Sequence, residues 1–90
     1  MAQAGKVTIE FFGMPRQRAG RMEIEVSAFT VGEALAAVEQ ACPGLVGLLT
    51  DGQLAPYYLL SINGNQFGTD MRHALKPGDH LLLLSADAGG

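Results

Sequence analysis

The sequence predicts an α+β domain in which one main helix packs on one face of a mixed sheet of about five strands. Three observations predict this class. Two segments near the N-terminus alternate apolar and polar residues, an apolar stripe at helical spacing follows, and four consecutive leucines stand near the C-terminus. Alternation with period two is typical of half-buried strands, and an unbroken apolar run is typical of a strand buried on both faces.

The first two strands are predicted to form a hairpin over residues 7–12 and 21–27, because each has apolar side chains at every second position. Their apolar faces consist of Val7, Ile9 and Phe11 in the first strand, and of Met22, Ile24 and Val26 in the second. Residues 13–20 are polar and bounded by Gly and Pro, which predicts a loop between the strands.

The main helix is predicted from Thr30 to about Cys42. The Thr30 hydroxyl can accept from the backbone N–H of Glu33, and the Glu33 side chain can reach back, as in a capping box. The apolar stripe consists of Val31, Ala34, Leu35, Val38 and Cys42. Pro43 and Gly44 end the helix. One further short apolar turn is predicted from Leu45, Leu48 and Leu49.

Three more strands are predicted after the helix. The third covers residues 57–63, and Asn63-Gly64 favours a tight turn into a short return strand over residues 65–68. Thr69-Asp70 is expected to cap a single helical turn that carries Ala74 and Leu75. A turn over residues 76–79 leads to the last strand, residues 80–85.

This order of elements is that of the β-grasp, or ubiquitin-like, fold, in which the last strand lies at the centre of the sheet and runs parallel to the first. The inward rows are expected to be those of the hairpin together with Leu60, Ile62, Leu81 and Leu83. Leu82 and Leu84 then face away from the helix, with Phe12 and Leu59 beside them. We expect an exposed apolar patch there, of the kind that marks partner sites. Two alternatives stay open: the loop over residues 45–56 covers this face, or the register is shifted by one.

Length and composition restrict the functions open to the chain. Ninety residues suit one small domain, so a single domain over residues 1–90 is predicted. The net charge of −3 and the scattered Lys and Arg argue against nucleic acid as a partner and favour a partner with a basic surface. The chain has no apolar run long enough to span a bilayer, no signal-peptide core and a single cysteine, so a cytoplasmic protein is expected.

Few side chains suggest chemistry of the chain's own, so we do not expect an enzyme. His73 and His80 have no Asp, Glu or Cys at ligand spacing, and no metal site is expected. Cys42 lies on the apolar stripe and is expected to be a buried structural thiol. Arg16 and Arg18 either pair with acidic groups of a partner or are solvated, and the sequence leaves both open.

Several short motifs, taken in their order and spacing, carry a resemblance that covers nearly the whole chain. They are Phe11-Phe12-Gly13-Met14-Pro15-Arg16 with Ala19-Gly20, Thr30-Val31 with Leu35, Ser61-Ile62-Asn63-Gly64, Leu75-Lys76-Pro77-Gly78-Asp79, and Gly89-Gly90. With them the chain resembles the MoaD/ThiS family of ubiquitin-like sulfur carriers, and the small subunit of molybdopterin synthase in particular. It departs from that pattern at Asp87, which replaces a typically apolar residue, and in lacking aromatics in the last strand and prolines after it.

The resemblance implies that Gly90, with Gly89 beside it, is the reactive end of a flexible tail over residues 85–90. An adenylating enzyme of the ubiquitin-activating type would use ATP and Mg²⁺ to activate the Gly90 carboxylate. A sulfur donor would then convert it to a thiocarboxylate for the large subunit of a synthase. The carrier itself would hold no cofactor. The implied partner-binding residues are Phe12, Arg16, Leu59, Leu82, Leu84, Asp87 and Ala88.

Other functions remain open at this point. They are a sulfur carrier for thiamin, cysteine or another sulfur metabolite instead of molybdopterin, and a ubiquitin-like modifier or interaction module. Two glycines suit a tail that threads a narrow channel, since a Cβ would widen it. They are also common at frayed chain ends.

Overall fold

The computed structural model describes residues 3–64, 66–67 and 70–86. Within these ranges a sheet has the strand order β2-β1-β7-β5-β6, and β3 and β4 form a separate small hairpin. The strands are β1 (Lys6–Phe11), β2 (Glu23–Ser27), β3 (Leu49–Thr50), β4 (Gln53–Leu54), β5 (Tyr58–Ile62), β6 (Gln66–Phe67) and β7 (His80–Ser85). The helices are α1 (Met14–Ala19), α2 (Val31–Ala41) and a 3₁₀ turn, Pro43–Leu45. This is the α+β, β-grasp architecture that the sequence predicts.

The last strand, β7, lies at the centre of the sheet, as predicted. It runs parallel to β1, with Ile9 opposite Leu81 and Phe11 opposite Leu83, and antiparallel to β5. All four of these side chains are fully buried. The inward rows of β1, β5 and β7 are therefore confirmed, and because these rows hold their predicted positions, the alternative of a register shifted by one is excluded.

Helix α2 begins and packs as its sequence predicts. The Thr30 hydroxyl accepts from the Glu33 backbone N–H at 3.2 Å, and the Glu33 carboxylate accepts from the backbone N–H of Phe29 at 2.7 Å. This return bond reaches one residue further back than the usual capping box. The predicted apolar stripe is buried, and Cys42, which follows the helix, is a buried free thiol.

The loop predicted over residues 13–20 is wrong, because most of it forms helix α1. A proline stands at the start of α1, and Gly20 closes it with φ 73° and an N–H that donates to the Arg16 carbonyl at 3.0 Å. Proline at the first turn and a left-handed glycine after the last are normal helix ends. The buried side chain of Pro15 fixes the helix to the domain.

The predicted inward row of the second strand is only partly correct. Strand β2 begins at Glu23, one residue after Met22, and the Met22 side chain is 62% exposed. Ile24 and Val26 are half-buried against the core. Since β2 is an edge strand of the sheet, its inner face is only partly covered, and Met22 does not belong to the core.

The helical turn predicted after Thr69-Asp70 is also wrong. The Asp70 carboxylate accepts from the Arg72 backbone N–H at 2.9 Å and forms a turn without a helix. Ala74 then bridges to Thr30, and the N–H of buried Leu75 donates to the Phe29 carbonyl at 2.8 Å. This segment therefore closes against the start of α2, while Thr69 itself lies outside the described residues.

The two tight turns beside β7 are as predicted. Asn63 and Gly64 have φ of 53° and 71° between β5 and β6, and Gly78 has φ of 89° in the turn before β7. Strand β6 confirms the predicted return strand at Gln66–Phe67, and residues 65 and 68 of that prediction lie outside the described residues. No helix in the described ranges is long and apolar enough to cross a membrane.

Candidate docking face and tail exit

The outer face of the sheet, opposite α2, carries a small apolar cluster where β5 and β7 pair. Leu59 lies directly opposite Leu84, and Leu82 lies between Glu10 and Ser61. These three leucines are half-buried. Phe12 follows β1 and donates its backbone N–H to the Leu83 carbonyl at 3.0 Å, which places it beside β7. We call Leu59, Leu82, Leu84 and Phe12 the outer apolar face.

The outer apolar face is not covered by the loop over residues 45–56, which was the alternative reading. Leu45, Leu48 and Ala55 from that loop are buried in the inner core with α2 and β7. Phe12 is 53% exposed. The prediction of an exposed patch therefore holds most clearly at Phe12, while the leucines are shielded in part by their neighbours. That this face binds a partner remains a prediction.

Acidic side chains lie next to the outer apolar face on the same side of the sheet. Glu10 stands opposite Glu23 in the β1–β2 pairing, and Glu25 stands opposite Thr8. An exposed ion pair offsets part of this charge, with Lys6 Nζ 3.6 Å from Glu25, and His80 Nε2 lies at hydrogen-bond distance, 3.0 Å, from Glu10. The outer side of the sheet thus has an apolar half at β5–β7 and an acidic half at β1–β2.

Arg16 is brought to the outer apolar face by helix α1. Its Nε donates to the carbonyl of Phe11 at 3.1 Å, and its guanidinium carbon lies 5.8 Å from the centre of the Phe12 ring. This is a cation–π distance, and it orients the exposed ring. The structure therefore brings together Phe12 and Arg16, two of the residues predicted to bind a partner.

Strand β7 leaves the sheet at a point that is fixed by β5. Ser85 pairs with Tyr58, and the Ala86 backbone N–H donates to the Tyr57 carbonyl at 2.7 Å. Ser85 and Ala86, which the sequence assigned to the start of the tail, are thus both tied to β5. The remaining predicted site residues, Asp87, Ala88, Gly89 and Gly90, lie outside the described residues.

A pocket of about 390 Å³, which no pattern in the sequence predicts, lies beside this tail exit. It is lined by Met14 and Arg18 from α1, by Tyr57 and Tyr58 from β5 and the residue before it, and by Ser85 from β7. Arg18 Nη1 donates to the Tyr58 hydroxyl at 3.4 Å. Three segments far apart in the sequence meet here. Among the lining residues, Tyr57 and Tyr58 alone are adjacent in the sequence, so sequence patterns could not have predicted the pocket.

The opposite end of β7 is held by a second polar cluster. The Asp79 carboxylate accepts from the Lys76 backbone N–H at 2.8 Å and from the Asn63 side-chain amide at 3.2 Å. The Lys76 N–H, and to a smaller extent Asn63, holds the pKa of Asp79 below its ordinary value. The Asn63 side-chain oxygen accepts in turn from the His80 N–H at 2.9 Å. These bonds tie the turn after β5 to the turn that enters β7.

No family model and no curated protein matches the chain. Solved structures do match it.

Three of these matches are informative. The crystal structure of SAMP1 from Haloferax volcanii is 27% identical, with a TM-score of 0.81 over 96% of this chain and 100% of that one. CysO in the BexX/CysO complex of Amycolatopsis orientalis is 27% identical, with a TM-score of 0.76 over 93% and 99%. The complex of subunits 1 and 2 of molybdopterin-converting factor from Helicobacter pylori gives 25% identity and a TM-score of 0.66 over 94% and 99%.

The fold and these likenesses define the class: the chain is a ubiquitin-like protein of the β-grasp type. They bear out the resemblance that the sequence motifs predicted, since the matched proteins are ubiquitin-like sulfur carriers of the MoaD/ThiS type. Since the matched proteins are small carriers or modifiers, they support a general role as a sulfur carrier.

Proposed function

We propose that this protein is a sulfur carrier whose Gly90 carboxylate is adenylated and then converted to a thiocarboxylate. The observation that carries the proposal is the arrangement around β7. This central strand is held on both sides, borders the outer apolar face, and leads within a few residues to Gly89-Gly90. The chain thus presents a reactive end next to a docking surface.

The proposed chemistry needs an enzyme because a C-terminal carboxyl, with a pKa of about 3.3–3.7, is ionised at neutral pH and is a poor electrophile. A Gly90 carboxylate oxygen attacks the α-phosphate of ATP and releases pyrophosphate, which leaves an acyl-adenylate. Sulfide can then displace AMP directly to give the thiocarboxylate. A persulfide donor instead displaces AMP with its terminal sulfur and gives an acyl disulfide. A second thiol then attacks the donor's own thiol sulfur and forms a new disulfide with it, and the terminal sulfur remains on Gly90 as the thiocarboxylate.

The carrier's own residues bind and present the tail in this scheme. ATP and Mg²⁺ belong to the adenylating enzyme, and the carrier supplies no acid, base or metal. Ordering the tail in an enzyme channel costs conformational entropy. Burial of the outer apolar face, above all of Phe12 and the neighbouring leucines, supplies compensating binding energy. The acidic half of the sheet favours enzymes with a basic docking surface.

For the pathway we propose the small subunit of molybdopterin synthase. In this role the thiocarboxylate sulfur passes to a pterin precursor held by a large subunit. The likeness to subunit 1 of the Helicobacter complex supports this assignment, together with the Arg16-containing motif that the sequence shares with the family. The likeness to CysO, which is part of a BexX/CysO complex, supports a carrier of this type with a partner other than a molybdopterin synthase subunit.

A second candidate is a protein modifier, which the match to SAMP1, a small archaeal modifier protein, favours specifically. In that role a lysine amine of a target protein attacks the activated Gly90 carbonyl and forms an isopeptide bond. The two roles share the adenylation step and differ in the nucleophile that follows it.

Intact-mass analysis tests the carrier function. The full chain is incubated with the adenylating enzyme of the same organism, ATP, Mg²⁺ and a sulfur donor. A mass gain equal to the exchange of one oxygen for sulfur is expected, and it must be absent when ATP is left out. No gain in the complete mixture would refute the proposal.

A second experiment separates the pathways. The thiocarboxylated chain is mixed with the synthase large subunit and the pterin precursor, and loss of sulfur from the carrier supports the molybdopterin assignment. Isopeptide adducts of Gly90 on lysines in cell extracts, with no transfer of sulfur, would instead favour the modifier.

A further inference from the structure

The residues that line the pocket at the tail exit have no role in the proposed sulfur chemistry. Met14 is 49% exposed and Tyr57 is 72% exposed, while Tyr58 is buried beneath them with its ring edge-on to that of Tyr57 at 6.4 Å. Tyr, Arg and Met are the residue types enriched at the energetic centres of protein interfaces. Large exposed side chains of these types around a concave site indicate that a protein group fills it.

Arg18 gives the pocket a positive charge that is not neutralised within the described part of the chain. The ion pairs found there join Lys6 to Glu25 and Arg72 to Asp70, and His80 contacts Glu10; none of these contacts includes Arg18. The Tyr58 hydroxyl receives one guanidinium hydrogen from Nη1 and so orients the group toward the pocket. A guanidinium has five N–H donors in a fixed fork, so enough remain for a bidentate contact with a carboxylate.

The position of the pocket indicates that an enzyme acting on Gly90 meets it. Four residues follow Ala86 in the sequence, and a fully extended chain of that length spans at most about 14 Å. An enzyme that acts on the carbonyl of Gly90 must therefore bring its surface close to the point where β7 ends. The pocket lies at that point, because Ser85 forms part of its wall.

We infer that the tail-exit pocket receives an aspartate or glutamate side chain of the adenylating enzyme, held by Arg18 and flanked by Met14 and Tyr57. This inference rests on the proposed function and adds a recognition element to it. The carrier would then present two surfaces of opposite charge preference. The acidic strands β1 and β2 favour basic groups of a partner, and the pocket favours an acidic group. An enzyme surface must match both, which helps the carrier to reject enzymes that match only one.

The test compares Arg18→Gln with Arg21→Gln. Arg21 is also exposed but does not line the pocket. Binding of each full-length variant to the adenylating enzyme of the same organism is measured by titration calorimetry at low and high salt. We expect Arg18→Gln to raise the Kd at least about tenfold at low salt, and Arg21→Gln to leave it nearly unchanged. The salt dependence of binding should be shallower for Arg18→Gln than for the wild type. Equal affinities for the two variants would overturn the inference.

Two further measurements distinguish a wrong pocket assignment from a wrong proposed function and from a misfolded variant. At saturating enzyme, the Arg18→Gln carrier should still gain sulfur by mass, because Gly90 is intact. If the wild type itself gains none, the proposed function fails; if it gains sulfur and Arg18→Gln binds normally, only the pocket assignment fails. Thermal unfolding of both variants must match the wild type.

The chain's own tail carboxylates are the competing occupant, and a spectrum of the free protein distinguishes them. Amide ¹H–¹⁵N spectra of the full-length wild type and of Arg18→Gln are compared without enzyme. The inference expects differences confined to the neighbours of residue 18. Differences at the amides of residues 87–90 would show that the tail fills the pocket and would overturn the assignment to an enzyme side chain.

Discussion

The two faces of β7 can be separated by making the same substitution at adjacent positions. Leu83 is fully buried in the inner core, whereas Leu84 is half-buried on the outer apolar face opposite Leu59. Leu83→Ala leaves a cavity among close-packed neighbours, which costs about 2–5 kcal/mol of unfolding free energy. Leu84→Ala removes atoms already partly in contact with water and should cost about 1 kcal/mol.

These losses of unfolding free energy are best compared with the total stability of the domain. At about 0.05–0.15 kcal/mol per residue, a 90-residue domain has roughly 5–13 kcal/mol of stability in total. Leu83→Ala therefore removes a substantial fraction of it, and should lower the Tm by about 10 °C or more. Leu84→Ala should leave a folded protein whose affinity for the adenylating enzyme is reduced.

Urea unfolding followed by far-ultraviolet circular dichroism measures both variants, since the chain has no tryptophan to report on unfolding. Equal m-values would show that the midpoints reflect stability alone. An equal loss of unfolding free energy in Leu84→Ala and Leu83→Ala would contradict this assignment of the two faces. That outcome would mean that both side chains are packed inside, and that the outer apolar face does not exist.

Three other substitutions test the supports of the fold. Gly44→Ala should destabilise by about 1–3 kcal/mol, because the added Cβ would overlap the backbone carbonyl oxygen of Arg18; an unchanged Tm would show that the contact is looser. Thr30→Ala should cost about 1 kcal/mol through loss of the α2 cap, and Thr30→Ser should restore most of it in the same urea assay. Asp79→Asn should destabilise at neutral pH and progressively less in acid. The folded-state pKa of Asp79 is lowered, so its contribution is complete above the unfolded value of about 3.9 and is lost as the pH falls through the folded one. A difference in unfolding free energy that persists unchanged into acid would contradict this account.

Much of the fold follows from patterns that are local in the sequence. The capped stripe of α2, the Asn63-Gly64 turn and the leucines of β7 each satisfy a physical requirement within a few residues. The central position of β7 could be predicted from the β-grasp order of the elements, and the leucine run agrees with it, since the inner leucines are buried and the outer ones half-buried.

The errors lie where a local pattern had two physical meanings. Residues 13–20 have Gly and Pro at their boundaries, which is typical of a loop. A proline at the first turn and a left-handed glycine after the last are equally typical of the ends of a short helix. The hairpin β3–β4 turns at Asp51-Gly52, with φ of 53° and 75°, yet its strands have two residues each and show no periodicity. Met22 continues the alternation of β2 beyond the end of the strand.

The candidate site divides in the same way. The outer apolar face could be predicted, since facing Leu81 and Leu83 inward forces Leu82 and Leu84 outward. The tail-exit pocket could not, because Arg18, Tyr58 and Ser85 become neighbours only after α1 packs beside the end of the sheet. From the sequence alone, Arg18 is equally consistent with a partner contact and with a solvated side chain.

The central strand also links the fold to the order of synthesis. β7 is the last described element that the ribosome makes, yet it fills the gap between β1 and β5, and it pairs Thr8 with His80 across most of the chain. Until it is made, Ile9 and Phe11 lack their neighbours on that side. Pairing between such distant segments is slow, and incomplete chains expose their apolar rows to proteases and chaperones. Folding of the domain therefore requires the segment that lies a few residues before Gly89-Gly90. A chain that stops short of β7 is expected to stay unfolded, so only chains that contain the strand next to the tail reach the folded state.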